Sequence, residues 1–143
     1  MYFVSVTRLR VRSLLFLPQF FCANEASVKA LKKIPGYING KELVDKGFTF
    51  WTVTIWDSVD AMKLFRNNDP HKSVMRKLPN WCDEAAYVHW TQETSDFPNW
   101  DEIYRRLLSE GKLTKVQHPS PQQAAMTYPA PARTNFARAL KPY

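Results

Sequence analysis

The stretch FTFWTVTIW, residues 48–56, alternates like a β-strand yet is apolar on both sides of the alternation. Phe48, Phe50 and Trp56 share one side, and Trp51, Val53 and Ile55 share the other. Successive side chains in a strand point to opposite faces of the sheet, so neither face of this one is a solvated face. The chain must therefore build a sheet that is covered twice. Thr52 and Thr54 are polar interruptions on the side of Phe50 and Trp56, and Thr49 opens the other side.

The neighbouring segments supply one of the two covers. Residues 2–10, YFVSVTRLR, read as a strand, and Leu17, Phe20, Phe21, Val28 and Leu31 then recur at helical spacing behind Pro18, which suits a first helical turn. Residues 37–44 pair with 48–56 as a hairpin through Asp45-Lys46-Gly47. Ser58 caps a helix whose Met62 and Phe65 share a face, NNDP interrupts it, and Asp69 with Pro70 starts a second piece ending near Leu78 and Pro79. Residues 83–93 form a fourth strand. The order β-α-β-β-α-β predicts an α+β, ferredoxin-like domain over residues 1–95, with a four-stranded antiparallel sheet and helices on one face. A partner sheet is the natural cover for the other face, which makes the chain a homodimer.

Beyond that unit, Asn99 and Glu102 have capping-box spacing and Trp100, Ile103, Tyr104 and Leu107 form an apolar stripe that stops at Gly111. Residues 96–116 are thus an appended helix. Residues 117–143 hold five of the ten prolines and no acidic residue, the composition of a flexible, extended tail.

Composition and charge exclude several functions. The stretch TRLRVRSLLFLPQFF has the outline of a signal peptide, but Pro18 and Gln19 break its apolar run below the roughly 7 residues such a region needs. It is kept in the domain and the protein placed in the cytoplasm, with secretion and cleavage near Cys22 as the alternative. No run approaches the ~18 apolar residues of a membrane span. Cys22 and Cys82 lack metal-ligand spacing, so neither a metal nor a disulfide framework is expected. The net charge of +7 sits at the ends: residues 1–33 carry six basic residues against one acidic, residues 111–143 five against none, and the middle nine against twelve. An acidic centre argues against a nucleic-acid face.

Four strings together carry a resemblance: FVSVTRLRVRS with FLPQFF, the junction FWTVTIWDSVDAM, the histidine of NNDPHKSVM, and WCDEAAYVHW. Over about residues 3–90 the chain resembles the spheroidene-monooxygenase-like group of the dimeric α/β barrel superfamily, best known from the antibiotic-biosynthesis monooxygenases. The resemblance implies a homodimer joined through the open sheet faces, with a pocket between each sheet and its helices or inside the barrel. It does not choose a chemistry, because such proteins include cofactor-free oxygenases, haem-dependent enzymes and proteins without a known reaction. In haem-degrading relatives the histidine ligand falls where this chain has Met75, and a first-strand asparagine is replaced by Ser5 or Thr7. Those departures count against haem degradation and leave the cofactor, haem included, open.

His71 and His89 are the candidate catalytic residues. His71 stands at a helix start, where the dipole disfavours imidazolium and keeps the ring neutral, able to act as base or ligand; the alternative is local packing. His89 shares a strand face with Tyr87. If the strand phases agree, Ser5, Thr7, Thr52 and Thr54 join it to line a ligand cavity walled by Phe50 and Trp56. Leu9 and Val11 share parity with Ser5 and Thr7, which would set that face against the helices. For the threonines, strand preference alone suffices, and for Trp51, Trp56, Trp81 and Trp90, core packing. Asp83 and Glu84 are expected to pair with Arg8, Arg10 or Arg12.

Three functions follow: a monooxygenase-like enzyme, cofactor-free or haem-dependent, acting on a small hydrophobic, polyketide- or terpenoid-like substrate; a non-catalytic dimeric binder of a small apolar ligand; and, least favoured, a binder of nucleic acid or acidic surfaces through the basic termini. No GxGxxG or GxxxxGK string supports a nucleotide cofactor.

Overall fold

Strand β1 (Tyr2–Val11) is central in the computed structural model, which describes residues 1–143. It lies between β3 (Thr49–Trp56) and β4 (Cys82–Gln92), with β2 (Tyr37–Asp45) outside β3. Two short strands, β5 (Lys112–Leu113) and β6 (Arg138–Ala139), complete an antiparallel sheet of six strands in the order β5-β4-β1-β3-β2-β6. The expected four strands are its centre. The two additional strands come from the chain beyond residue 95, and each blunts an exposed edge.

One face carries helices α1 (Leu17–Leu31), α2 (Val59–Arg66) and α3 (His71–Trp81). Ser58 caps α2 by accepting from the Ala61 amide at 3.2 Å, and Asp69 takes both the amide and the hydroxyl of Ser73 at the start of α3. α3 continues through Pro79 to Trp81, past the expected stop, because a proline in the last turn forfeits a single helical amide. Phe20, Leu78 and Trp81 pack on Phe50 and Val11, while Val28, Leu31 and Met62 pack on Tyr37 and Trp56. A bulge between Tyr37 and Asn39 turns Tyr37 to this side and leaves Ile38 on the other.

The second face belongs to the rest of the same chain. Helix α4 (Trp100–Glu110), capped by the Asn99 side chain on the Glu102 amide at 2.8 Å, buries Ile103 and Leu107 against it. The Glu102 carboxylate does not close the capping box; it meets Arg106 at 3.1 Å. Val4, Val6, Trp51, Val53, Ile55, Val88 and Trp90 form one core with Ile103, Leu107 and Tyr128. The face for which the apolar pattern predicts a partner sheet is thus covered by α4 and the tail of the same chain. Residues from all three expected segments share one core.

Residues 117–143 form no α-helix; they make turns over residues 121–126 and a 3-10 turn at Thr134–Phe136, and Gln123, Tyr128 and Leu140 are buried. The Gln123 side chain bonds both the amide and the carbonyl of Ala85 at 3.0 Å, as a neighbouring strand would. Farther along, Asp45 accepts from the amides of Ala132 and Arg133 at 3.0 and 3.1 Å. The segment therefore runs from the β4 edge across the sheet to the β2 edge, where β6 begins.

A buried ion pair fixes this crossing. Arg8 donates to Glu84 at 2.6 Å, with both side chains almost fully inaccessible, and Arg10 reaches the second Glu84 oxygen at 3.1 Å and Asp83 at 3.8 Å. The Ser120 hydroxyl donates to Glu84 at 2.6 Å, and the Tyr128 ring lies 4.0 Å from the Arg8 guanidinium carbon. Burial alone would raise the Glu84 carboxyl; the hydrogen bonds of Ser120 and Arg8, with the charges of Arg8 and Arg10, outweigh it and hold the group below its usual range.

Two outcomes are expected. Sedimentation equilibrium of the whole chain gives a monomer of 16.7 kDa at micromolar concentration; a dimer would show that α4 and the tail do not suffice as cover. Glu84→Gln, which strands the buried Arg8 charge, lowers stability by about 3 kcal/mol in urea denaturation, and an unchanged midpoint would show that Arg8 is compensated elsewhere.

Candidate functional site

Strand register builds a polar band across the middle of the helix-covered face. Thr7 stands opposite Thr52 on one side and Tyr87 on the other, and Thr52 opposite Glu42. In the next row Ser5 stands opposite Thr54 and His89, and Thr54 opposite Gly40. The flanking rows are apolar: Phe50 with Leu9 and Ala85 below, Trp56 with Phe3 above. A cavity of about 400 Å³ remains between band and helices.

The cavity is lined by Ser5, Thr7, Thr52, Thr54, Trp56, Tyr87, His71 and His89, so the structure brings together eight of the nine residues singled out from the sequence. Phe50 is the exception. Its ring lies 4.5 Å from Phe20 and 5.4 Å from Phe21, and so belongs to the packed end of the face beneath α1. The phase of β1 is the one in which Ser5 and Thr7 face the helices together with Leu9. Trp56 donates from Nε1 to the Thr54 hydroxyl at 2.9 Å, leaving an apolar indole wall.

His71 is the first residue of α3, and its Nδ1 lies 3.4 Å from the Arg66 carbonyl. A carbonyl can only accept, so Nδ1 carries the proton and Nε2 keeps its lone pair. The ring packs 4.7 Å from Phe65. Burial pushes its pKa below the ordinary histidine value, against the bond to Arg66, and the Arg66 charge adds to the depression. His89 has no hydrogen-bond partner within the chain and sits between Phe3 and Tyr87, each ring 5.1 Å away. Burial lowers its pKa too, followed by the charges of Arg66 and Lys112. Both imidazoles are therefore neutral near pH 7.

At the β2 end the lining includes a carboxylate. Glu42, almost fully buried, accepts from Asn24 at 2.8 Å and from Arg138 at 3.0 Å. Burial raises its pKa, and Asn24 and Arg138 offset this in part. Leu140 closes this end; its amide donates to Gly40, and its carbonyl accepts from the Tyr37 hydroxyl at 2.5 Å. The Tyr37 hydroxyl occupies the space a side chain at residue 40 would need, which is why glycine stands there.

Arg66, Asn24, Glu42 and Leu140 were not legible as site residues from the sequence. Asn24 had a usable signal: it occupies a cavity-lining position among Phe20, Ser27, Val28 and Leu31 on α1. Leu140 had none, since its place depends on the path of the tail. Cys82 is buried, its thiol pushed up to about 12, which removes it as a nucleophile at neutral pH. No group of three or more metal-binding side chains occurs, and no helix is long and apolar enough to cross a membrane.

Neither a protein-family model nor a curated protein sequence matches the chain. Solved structures do. Rv0793 from Mycobacterium tuberculosis superposes with a TM-score of 0.60 at 9% identity, covering 68% of this chain and all of that one. SnoaB, a cofactor-independent oxygenase from Streptomyces nogalater, gives 0.52 at 16% identity over 68% of this chain and 98% of its own. A Nitrosomonas europaea protein provisionally described as an antibiotic biosynthesis monooxygenase gives 0.58 at 11% identity over 67% and 94%. These proteins share the fold of β1 through β4 with the helices on one face. The shared part is about two thirds of this chain, the proportion made up by β1 through β4.

The depressed histidines give a direct check. Followed by NMR in the folded protein, both imidazoles should titrate below the ordinary histidine range. Both move up in Arg66→Gln, which removes a charge that disfavours imidazolium; unshifted resonances would place the guanidinium away from the rings.

Proposed function

We propose that this chain is a monooxygenase-like enzyme acting in the cavity between sheet and helices on a small hydrophobic substrate, with His71 as base. The observation that carries the reading is the neutral His71, its Nδ1 turned to a backbone carbonyl and its Nε2 left free, in an apolar cavity with a second neutral histidine. The likeness in fold to a cofactor-independent oxygenase supports it. The narrower kinship with the spheroidene-monooxygenase-like group rests on the sequence strings alone.

An electron-rich substrate that bears an acidic CH₂ group would lose a proton to His71 Nε2. The resulting anion passes one electron to O₂, and the substrate radical and superoxide combine to form a C–O bond. The imidazolium returns its proton to the peroxide. Loss of the second C–H proton with cleavage of the O–O bond then releases water and leaves a carbonyl, so CH₂ and O₂ become C=O and H₂O. The protein contributes proton transfer, orientation by the hydroxyl band, and exclusion of water by Trp56, Phe65 and the α1 stripe. No step is assigned to haem: Met75 rather than histidine stands one turn into α3, and Ser5 or Thr7 stands on β1 in place of the asparagine of haem-degrading relatives.

A second reading, a non-catalytic binder using the same cavity, is favoured by the packing of His89 between two aromatic rings without a polar partner. Oxygen uptake with hydroxylated anthrones separates the two. His71→Ala should lower kcat by a factor on the order of 100 with thermal melting unchanged. Full turnover in that variant would remove His71 as base, and tight substrate binding without oxygen uptake in the wild type would favour the binder.

A further inference from the structure

The cavity does not end at its apolar lining. Arg66 and Met75 line both the cavity and a second, shallower depression outside it, whose other residues are Asn67, Lys72 and Arg76. Helical spacing explains the connection. His71, Val74, Met75 and Leu78 form the inner stripe of α3, while Lys72, Met75 and Arg76 form the adjoining stripe, with Met75 as the lip between them. Arg66, the last residue of α2, reaches the same lip from across the NNDP turn.

This outer shelf is positive. Arg66, Lys72 and Arg76 form no ion pair, whereas Arg8, Arg10, Arg106 and Arg138 each meet a carboxylate. Arg66 has one polar partner, the Asn67 side chain at 3.2 Å. The nearby acid is Asp69, whose Oδ1 accepts from the Ser73 hydroxyl at 2.6 Å and the Ser73 amide at 3.2 Å; its charge offsets Arg76 and Lys72 in part, and Arg66 is not among the charges that act on it. The charge of Arg66 also reaches inward, since it is felt by both His71 and His89.

We infer that the ligand of this cavity is an amphiphilic acid: an apolar body seated on the hydroxyl band, with one terminal carboxylate held at the lip by Arg66 and by the Lys72 and Arg76 charges. The inference rests on the cavity being the ligand site, as proposed above, and adds the charge of what enters. An apolar wall next to three cations rewards a molecule that is greasy at one end and anionic at the other. A guanidinium can take a carboxylate with two parallel hydrogen bonds, and Arg66 has no carboxylate in the chain to occupy it.

The test uses the whole protein and N-phenyl-1-naphthylamine, a neutral fluorescent probe for the cavity, displaced in turn by decanoate, decanol and decylamine. Decanoate should displace it at a concentration at least ten times lower than decanol, and decylamine should be the weakest. In Arg66→Gln the preference for decanoate over decanol should fall to twofold or less with decanol itself unchanged, and the double variant Lys72→Gln, Arg76→Gln should reduce it in part. Equal displacement by acid and alcohol, or a preference that survives Arg66→Gln, would overturn the inference while leaving the cavity as a ligand site. A probe that does not bind the wild type at all would overturn both.

Discussion

Arg8 puts a positive charge in the middle of a sheet face that is otherwise Val4, Val6, Trp51, Val53, Ile55 and Val88. A buried guanidinium is costly unless it is paired and its hydrogen bonds are satisfied. Glu84 across the strand pair supplies the countercharge, but a carboxylate so enclosed also needs donors, and Arg10 and Ser120 provide them. Tyr128 then closes over the guanidinium, and Gln123 fills the β4 edge beside it. The path of the C-terminal third follows from these requirements, because Ser120, Gln123 and Tyr128 all come from it.

That path accounts for the oligomeric expectation. A sheet with two apolar faces and helices on one of them needs a second layer, and a second copy of the chain is one way to obtain it. Here α4 and the tail are that layer. For a partner sheet to take the same place, Ile103 and Leu107 would leave the core, at about 1.5–3 kcal/mol for each side chain. The Glu84 carboxylate would also lose the Ser120 hydroxyl. Cis cover has the advantage of proximity, since a tethered segment needs no second molecule.

The sequence showed the four long strands, the helix starts and the double-sided β3 because each has a local cause: alternation, a capping Ser58 or Asn99, a glycine in the hairpin turn. The polar band was readable for a related reason, since Ser5, Thr7, Thr52, Thr54, Tyr87 and His89 lie at alternating positions and antiparallel register aligns them. Phe50 shared that parity, yet its row is filled by Phe20 and Phe21 from α1, a packing detail that parity does not encode. The Arg8 and Arg10 pairing with Asp83 and Glu84 was legible as charge complementarity between adjacent strands. What escaped, besides Asn24 on α1 and Arg66 at the end of α2, was what the path of the tail sets. Proline content shows that a segment is not helical, but it says nothing about whether its few apolar side chains find a place, and Tyr128 and Leu140 do.

Leu140 joins the two faces of the molecule. The segment that leaves Tyr128 on the open face passes Asp45, adds β6 to the β2 edge and places Leu140 at the end of the cavity on the opposite face. Arg138 on the way neutralises Glu42, the acid of the lining, and also meets Glu25 on α1 at 2.8 Å. The segment that covers the sheet on one side therefore completes the cavity wall on the other. Without it Glu42 would keep the Asn24 bond but lose its countercharge, and burial would push its carboxyl further toward the neutral form. At the far end, Arg66 has no such partner. The cavity is thus electrostatically closed where the tail seals it and electrostatically open at the α2–α3 lip, and that asymmetry gives a ligand one end at which an anion is welcome.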